Sequence, residues 1–296
     1  MMPELLTILF VLNPVSGGKK KPEWKTLIMD YFKELPHKID FYELTGGNDQ
    51  PAIQSKIKEM NAQRVVAVGG DGTVSLVGKI LIQNKILLGI LPGGSANGMA
   101  AELKIPSDPQ KALDIIVSGK IHPCDTIRIN EDDMVFHLAD LGLNAQIIKY
   151  FDESRFRGML TYSRMLFKAL ANKSLMKVHL KGDNLDETIA AYMIVIANAS
   201  KYGTGAVINP DAVTDDGVFE LVIVRRIALS EFIKLFWSYK SFNPRSVEII
   251  ETKKVEIISK KSVRFQIDGE YKGKIKNIRA EIMPASLRVL VPEDSV

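Results

Sequence analysis

The first 120 residues of the chain alternate apolar, strand-like runs with stretches of helical periodicity, four times over. The apolar runs lie at Thr7–Leu12, Ile39–Leu44, Arg64–Val68 and Ile86–Leu91. The helical stretches lie at Glu23–Lys33, Pro51–Asn61, Thr73–Gln83 and Pro109–Ser118. Strands that alternate with helices in this way form a parallel sheet covered by helices on both faces. The alternation therefore predicts an α/β domain for the N-terminal part of the chain.

A glycine-rich loop follows each predicted strand of this domain. The loops read NPVSGG (13–18), TGG (45–47), GGDGT (69–73) and PGGSANG (92–98). Ligands of parallel sheets bind beyond the carboxyl ends of the strands, and backbone N–H groups that no Cβ shields are suited to phosphate. We therefore predict one phosphate site built from these loops, where Asp71 holds Mg²⁺, orients a hydroxyl or accepts a proton. The alternative is an ordinary turn in which Asp71 caps the next helix.

Beyond about residue 122 the pattern changes to short strand-like runs separated by turn residues. This pattern is typical of an antiparallel sandwich or barrel. Two segments interrupt it with helical periodicity, at Arg157–Lys173 and Ile227–Tyr239. These two helices pack against the sheet, gate a cleft for an acyl chain or rest on a membrane surface. The C-terminal part of the chain is thus predicted to be a second, β-rich domain.

The composition narrows the choice of partners. A net charge of +4 suits an anionic ligand or a membrane surface, but it falls short of a nucleic-acid-binding arm. One cysteine excludes an internal disulfide, and four histidines without metal-ligand spacing argue against zinc. Neither G-x-G-x-x-G nor G-x-x-x-x-G-K-[ST] occurs, so a dinucleotide fold and a P-loop are not supported. No apolar run reaches the roughly 18 residues that cross a bilayer, so we expect a cytoplasmic protein that associates with membranes transiently.

The loop GGDGT, preceded by NPVSGG and followed by LGILPGGSAN, resembles the diacylglycerol kinase catalytic-domain family, which includes bacterial lipid kinases and the sphingosine and ceramide kinases. The similarity continues through DPQKALDIIVSGKIHPCD (108–125), NPDAVTDDGVFEL (209–221) and FQIDGE (265–270), and so covers essentially the whole chain. It implies an α/β ATP-binding domain, a β-sandwich lipid-substrate domain, and a last strand that returns to the first domain. We therefore expect an ATP-binding domain at 1–122 with 285–296, and a lipid-substrate domain at 123–284.

The resemblance also implies roles for individual residues. ATP contacts are expected from Asn13, Ser16, Gly17, Thr45, Gly70, Asp71, Gly72, Thr73, Ser95 and Asn97. Asp268 and Glu270 match the family's catalytic DGE sequence, with Glu270 as general base, Asp268 assisting it and Asp71 orienting Mg²⁺ or the acceptor.

A structural Mg²⁺, known from the bacterial branch of the family, maps onto the D-D-G turn of this chain. The resemblance implies that the Asp216 carboxylate holds it together with the carbonyl groups of Val213 and Val218. This ion is distinct from the Mg²⁺ that accompanies ATP.

The carboxylates of Asp268 and Glu270 are two residues apart in RFQIDGEYKG. On a strand, residues i and i+2 share a face, so both side chains are predicted to point the same way. A crowded pair raises one of the two pKa values, which suits a base that works near neutral pH. The alternative is a hairpin turn with solvated acids.

The residues and the resemblance together predict an ATP- and Mg²⁺-dependent lipid kinase. Its acceptor would be the primary hydroxyl of a diacylglycerol-like or sphingoid lipid. Its expected partners are a membrane surface and a second copy of the chain in a homodimer. No nucleic-acid partner is expected. One rival is an NAD kinase, which shares GGDGT but leaves FQIDGE unexplained. The other is a non-catalytic lipid- or nucleotide-binding protein, which stays open because Leu76 stands where many family members have glutamate.

Overall fold

The structure, a computed structural model, describes residues 5–16, 23–152, 168–169, 174–202, 207–226 and 246–294. The chain divides into two compact units, Met1–Cys124 with Ala285–Val296 and Asp125–Pro284. No helix in the described part of the chain has the length and apolarity needed to cross a bilayer.

The first unit is an α/β unit, and its elements follow the predicted order. They are β1 (Thr7–Leu12), α1 (Trp24–Phe32), β2 (Lys38–Glu43), α2 (Gln50–Met60), β3 (Arg64–Gly69), α3 (Asp71–Leu81), β4 (Leu87–Pro92), α4 (Gly98–Glu102) and α5 (Pro109–Ser118). The strands are parallel in the order β4-β3-β1-β2. The end of the chain's last strand joins the sheet beside β4, where Val289 pairs with Leu88 in parallel.

The sequence pattern explains why these elements form. In β3 the run Val65–Val68 is buried on both faces, as expected of a central parallel strand. In α3 the side chains of Val74, Val77 and Leu81, at helical spacing, are buried. One face of the sheet packs against α1 and α5 in a common apolar cluster. The predicted alternation of strands and helices is confirmed, apart from α4, which is too short to give a periodic signal.

The second unit is dominated by antiparallel strands. Its elements are β5 (Lys120–Ile129), β6 (Asp133–Val135), β7 (Leu138–Gly142), α6 (Leu143–Asp152), β8 (Met176–Gly182), β9 (Leu185–Ala191), β10 (Met193–Ala197), β11 (Phe219–Val224), β12 (Val247–Thr252), β13 (Lys254–Ile267) and β14 (Glu270–Val291). The main strand order is β12-β11-β10-β7-β13-β14; β8 pairs with β13 and β9, and β5 pairs with β6 and β14. Strands β5 and β14 begin in one unit and end in the other.

Both faces of the central strand β10 are buried in apolar clusters. Ile194 and Ile196 lie in a core shared with β8, β11 and β13. Met193, Val195 and Ala197 lie in a second cluster, which also contains Leu143 and Ile147 of α6. Helix α6 therefore covers one face of this sheet.

Two apolar runs, which the sequence predicts as two separate short strands, form one strand in the structure. The runs Lys254–Ser259 and Val263–Ile267 form the single strand β13, because a bulge between Ile258 and Val263 absorbs the polar residues between them. Helix α6 was not predicted, since it follows β7 without an intervening turn signal. The predicted helix at 157–173 lies outside the described residues except for Lys168 and Ala169, and the one at 227–239 lies outside them entirely.

Candidate active site

In the first unit, Asp71 ties the loop after β3 to the loop after β4. Its carboxylate oxygens accept hydrogen bonds from the amides of Gly98 and Met99, at 3.0 and 3.1 Å. These amides open α4, so Asp71 supplies the cap that this helix lacks locally. The residue that begins α3 thus fixes the start of another helix. The alternative that Asp71 caps its own helix is wrong, because Gly70 holds that position.

The glycines of these two loops allow their backbones to touch. A Cβ on Gly94 would lie 2.4 Å from the Cα of Gly70, and one on Gly69 would lie 2.4 Å from the Thr73 hydroxyl oxygen. The Gly93 amide also donates to the Gly69 carbonyl at 2.8 Å, which extends the pairing of β3 with β4. The positions that a Cβ of Gly69 or Gly94 would take are therefore occupied by protein. These glycines bring two loops together.

Two asparagines hold the loops in shape. The Asn97 side chain accepts from the Gly94 amide at 2.8 Å and donates to the Gly94 carbonyl at 2.9 Å. Asn97 itself is left-handed, at φ 54°. The Asn13 side chain donates to the Thr73 hydroxyl at 3.1 Å and accepts from the Val15 amide, which links the loops after β1 and β3.

The N-terminus of α3 remains open to an anion. The amides of Thr73 and Val74 donate to the Gly70 carbonyl, whereas α3 has no side-chain cap. The backbone N–H groups of Asp71 and Gly72 make no hydrogen bond within the described part of the chain. Free amides at a helix N-terminus attract phosphate.

The other residues expected to contact ATP lie in separate loops of the first unit. Ser95 is exposed in the loop after β4, and the Ser16 hydroxyl donates to the Asn13 carbonyl at 3.0 Å. Thr45 donates through its hydroxyl to Asp49 at 2.8 Å, within the loop after β2. Gly17 lies outside the described residues.

In the second unit the DGE sequence forms a hairpin turn. Asp268 and Gly269 have φ values of 47° and 86°, and Ile267 pairs with Glu270 across them. Asp-Gly with both φ positive is the preferred two-residue connection between antiparallel strands. The prediction that the two carboxylates share a strand face is therefore wrong, because the turn interrupts the alternation.

The two acids of this turn have different surroundings. The Asp268 carboxylate accepts three hydrogen bonds, from the amides of Phe136, His137 and Leu138, at 2.9 to 3.0 Å. Burial raises the pKa of Asp268, while these amide donors and the nearby His137 oppose that rise. Glu270 is exposed and forms an ion pair with Lys272 at 3.0 Å. Asp268 thus anchors the turn, and Glu270 projects from it.

The D-D-G turn that was predicted to hold Mg²⁺ is linked to β5. The Asp125 carboxylate accepts from the Gly217 amide at 2.7 Å, and the Asp125 amide donates to the Thr214 carbonyl at 2.8 Å. Asp216 is exposed and accepts from the Val218 amide at 3.1 Å. Sequence reasoning assigned no role to Asp125, although it follows directly on the HPC segment of the resemblance.

Glu220 is a buried acid close to this turn. Burial raises the pKa of Glu220 to about 7, and the charges of Asp216 and Glu251 add to the rise. Asn209 donates to its carboxylate at 2.7 Å. In the described part of the chain, no three His, Cys, Asp or Glu side chains lie together in a way that could hold a metal. A Mg²⁺ ion at Asp216 would therefore depend on peptide carbonyls, which are oxygen ligands of the kind it prefers.

A buried polar layer, which the sequence analysis missed, separates α6 from the sheet. Asp140 of β7 is fully buried and accepts hydrogen bonds from Asn144 at 2.6 Å, from Gln266 and from the Tyr202 hydroxyl at 3.4 Å. Burial raises the pKa of Asp140 to about 6, against the effect of these donors. The aspartate inside the apolar run of LADLG was the available signal, since a charge in a central strand is rare.

This shift predicts that replacing Asp140 with asparagine removes part of the protein's pH dependence. The folded state keeps its proton up to about pH 6, whereas an unfolded chain loses it near pH 4. The free energy of unfolding therefore falls as pH rises through that window, by up to about 3 kcal/mol. Thermal melts between pH 4 and 7 should show a weaker decline for Asp140→Asn than for the wild type. The exposed Asp211→Asn variant serves as control, and equal slopes in all three proteins would contradict the assignment.

The two parts of the chain match two models of one enzyme family. Residues 7–129 match the model described as "Diacylglycerol kinase catalytic domain", and residues 138–291 match "YegS C-terminal NAD kinase beta sandwich-like domain". A Klebsiella pneumoniae protein named "Probable lipid kinase YegS-like" is 30% identical over 243 residues, covering 80% of each chain. A Chromohalobacter salexigens protein of the same name is 30% identical over 273 residues, covering 89% of this chain and 87% of its own. The chain belongs to this family of lipid kinases, and it is a kinase.

Solved structures show the same fold. A crystal structure of a "putative diacylglycerol kinase" from Bacillus anthracis str. Sterne has a TM-score of 0.80 over 98% of both chains, at 17% identity. A second crystal structure, of a diacylglycerol kinase from the same strain, has a TM-score of 0.70 over the same share. The predicted fold class, an α/β domain followed by a β-rich sandwich, is confirmed.

Proposed function

We propose that this enzyme transfers the γ-phosphoryl group of ATP to the primary hydroxyl of a diacylglycerol-like or sphingoid lipid. The observation that carries the proposal is the start of α3, where the free amides of Asp71 and Gly72 lie beside the loop that follows β4. Free amides at a helix N-terminus attract negative charge, and a triphosphate is strongly negative. Membership of the lipid kinase family supports the choice of a lipid acceptor.

For ATP, we propose contacts of two kinds. Direct phosphate contacts would come from the backbone of 70–73 and from the exposed hydroxyl of Ser95. Other residues would shape the loops that receive the nucleotide, and these are Asn13, Ser16, Gly17, Thr45 and Asn97. Asp71 fixes the distance between two of these loops, and each of its oxygens keeps a further lone pair for a Mg²⁺ ion that accompanies ATP.

For the chemical step, we propose that Glu270 is the general base. Its exposed carboxylate is free to take the proton of a lipid hydroxyl as the hydroxyl attacks the γ-phosphorus, and ADP leaves. Asp268 supports this role indirectly, because its three amide bonds hold the turn from which Glu270 projects.

We also propose a Mg²⁺ site at the D-D-G turn. The exposed carboxylate of Asp216 and the carbonyls of Val213 and Val218 would hold the ion, and all three ligands are oxygens, as Mg²⁺ requires. Burial is the main cause of the raised pKa of Glu220, and the Asp216 carboxylate adds to it, which places negative charge at this turn. A bound cation would stiffen the connection to β11.

The lipid acceptor implies contact with a membrane surface during turnover, and we propose that this contact is transient. The ATP-binding function is assigned to residues 1–122 with 285–296, and the lipid-substrate function to 123–284. We also propose that the enzyme forms a homodimer.

The proposal is tested with radiolabelled ATP and mixed micelles of diacylglycerol, sphingoid base or monoacylglycerol, with NAD as a parallel acceptor. Label should enter one of the lipids and require Mg²⁺. Label in NAD alone would overturn the lipid assignment. The protein would be a non-catalytic binding protein if it bound ATP without transferring label to any acceptor and if Glu270→Ala had no effect on the assay.

A further inference from the structure

A small cavity in the second unit is lined by donors of hydrogen bonds and by no acid. It has a volume of about 60 Å³, and its polar lining comes from Gln146 of α6, Ser174, Ser262 and Arg264. None of its described lining residues is acidic. Since roughly 15 Å³ of such space holds one water, the cavity has room for a group of four or so oxygen-sized atoms.

Arg264, on β13, is unusual for a half-buried arginine because its guanidinium is poorly satisfied. Its Nη1 donates to the Gln146 side chain at 3.3 Å, and its buried Nε has no partner in the described part of the chain. An arginine with a purely structural role would be paired with a carboxylate or a carbonyl, because a buried donor without a partner destabilises the folded state. Gln146 cannot balance the charge, and its own amide nitrogen already donates to Tyr150 at 3.0 Å.

The hairpin that carries Arg264 adds further positive charge. We define the basic ribbon as Lys260, Lys261, Arg264, Lys274 and Lys276. Lys274 lies directly opposite Arg264 in the β13–β14 ladder. Two like charges in this position destabilise a sheet. Among the described residues, the ribbon has no acid within ion-pair distance, although Lys272 beside it is paired.

Ion pairs offset much of the positive charge in the other half of the same two strands. Arg279 pairs with Glu256, Lys254 pairs with Asp183, and Glu281 pairs with Arg128 of the adjacent β5. The five cations of the ribbon, which have no such pairs in the described part of the chain, are clustered at the end of the hairpin that borders the cavity. Leu175, which follows Ser174 in the cavity wall, is 56% exposed there and offers an apolar contact beside the cations.

We propose that the Arg264 cavity is an accessory binding site for the phosphate group of an anionic phospholipid. The guanidinium of Arg264 and the hydroxyls of Ser174 and Ser262 would donate to the phosphate oxygens. The basic ribbon would attract the anionic surface of the membrane, and Leu175 would contact its apolar edge. The inference goes beyond the proposed reaction, since it concerns a lipid that is held and not phosphorylated.

Sedimentation with vesicles tests the proposal on the full chain, in the absence of nucleotide and acceptor, so that a failure of the kinase assignment leaves the result intact. The wild type should bind vesicles of phosphatidylcholine mixed with phosphatidylglycerol and should not bind phosphatidylcholine alone. Arg264→Met should weaken this binding roughly 10- to 100-fold, the range for a charge-assisted contact. The matched control is Arg279→Met, which removes an exposed arginine of the same hairpin and should change binding less than about threefold.

Two further measurements complete the test. If Arg264→Met lowers the melting temperature, Arg264→Lys keeps the charge and should still weaken binding, because lysine lacks the planar fork. Inorganic phosphate that competes with the vesicles would show that the site accepts free phosphate as well, and failure to compete would show that it requires the lipid. Equal losses for Arg264→Met and Arg279→Met, or full binding by Arg264→Lys, would overturn the proposal.

Discussion

Replacing Glu270 with glutamine is expected to lower kcat for lipid phosphorylation by about 10²- to 10⁴-fold, the usual contribution of a general base. Glutamine keeps the shape of the side chain but cannot accept the hydroxyl proton. Because Glu270 is exposed and makes only a surface ion pair with Lys272, its loss should leave the melting temperature nearly unchanged. Steady-state kinetics and thermal melts on the same samples measure the two effects.

The same experiment on Asp268 separates the roles of the two acids. In Asp268→Asn, the new amide group would face at least one of the backbone N–H groups that now donate to the carboxylate. We expect this variant to lose about 1–3 kcal/mol of stability together with activity. Glu251→Gln, which removes an exposed glutamate of β12, controls for the loss of a surface charge. A large drop in melting temperature for Glu270→Gln, or a loss of kcat confined to Asp268→Asn, would reverse the assignment.

The alternation of strands and helices in the first unit was predictable because each parallel strand is a continuous apolar run. Burial on both faces removes the need for polar alternation, and Val65–Val68 could be recognised without tertiary information. The loops that follow these strands were also located correctly at sequence level. Their inner contacts were not, since the bond from Asp71 to Gly98 joins residues 27 positions apart.

The second unit shows where sequence reasoning stops. The hairpin Asp268–Gly269 has the composition of a tight turn, but its match to a catalytic motif favoured a strand interpretation. The polar layer around Asp140 forms only where β7, α6 and β13 contact one another. No local sequence pattern indicates such a tertiary contact. The clustering of positive charge around Arg264 likewise becomes visible only in the β13–β14 ladder, which places Arg264 opposite Lys274.

Replacing Gly94 with alanine is the second change expected to have a large effect. The new Cβ would lie 2.4 Å from the Gly70 Cα and 2.8 Å from the Asn97 side-chain oxygen, which closes the loop after β4. The Gly70 Cα belongs to the backbone and cannot rotate away as a side chain could, so the two loops must separate. We expect a loss of about 3 kcal/mol or more, at the upper end of the range for overpacking.

Nucleotide binding should suffer along with stability in Gly94→Ala, because separation of the loops moves Asp71 and the start of α3 away from Gly98. Isothermal titration with ATP at a temperature where the variant is folded should show at least a tenfold weaker Kd. Gly47→Ala is the matched control: it lies in another strand-end loop, and its Cβ would meet only the Thr45 hydroxyl, at 3.4 Å. That variant should bind ATP and melt nearly as the wild type does. If Gly94→Ala instead keeps full affinity, contact between these two loops is not what builds the nucleotide site, and the phosphates must be held by α3 alone.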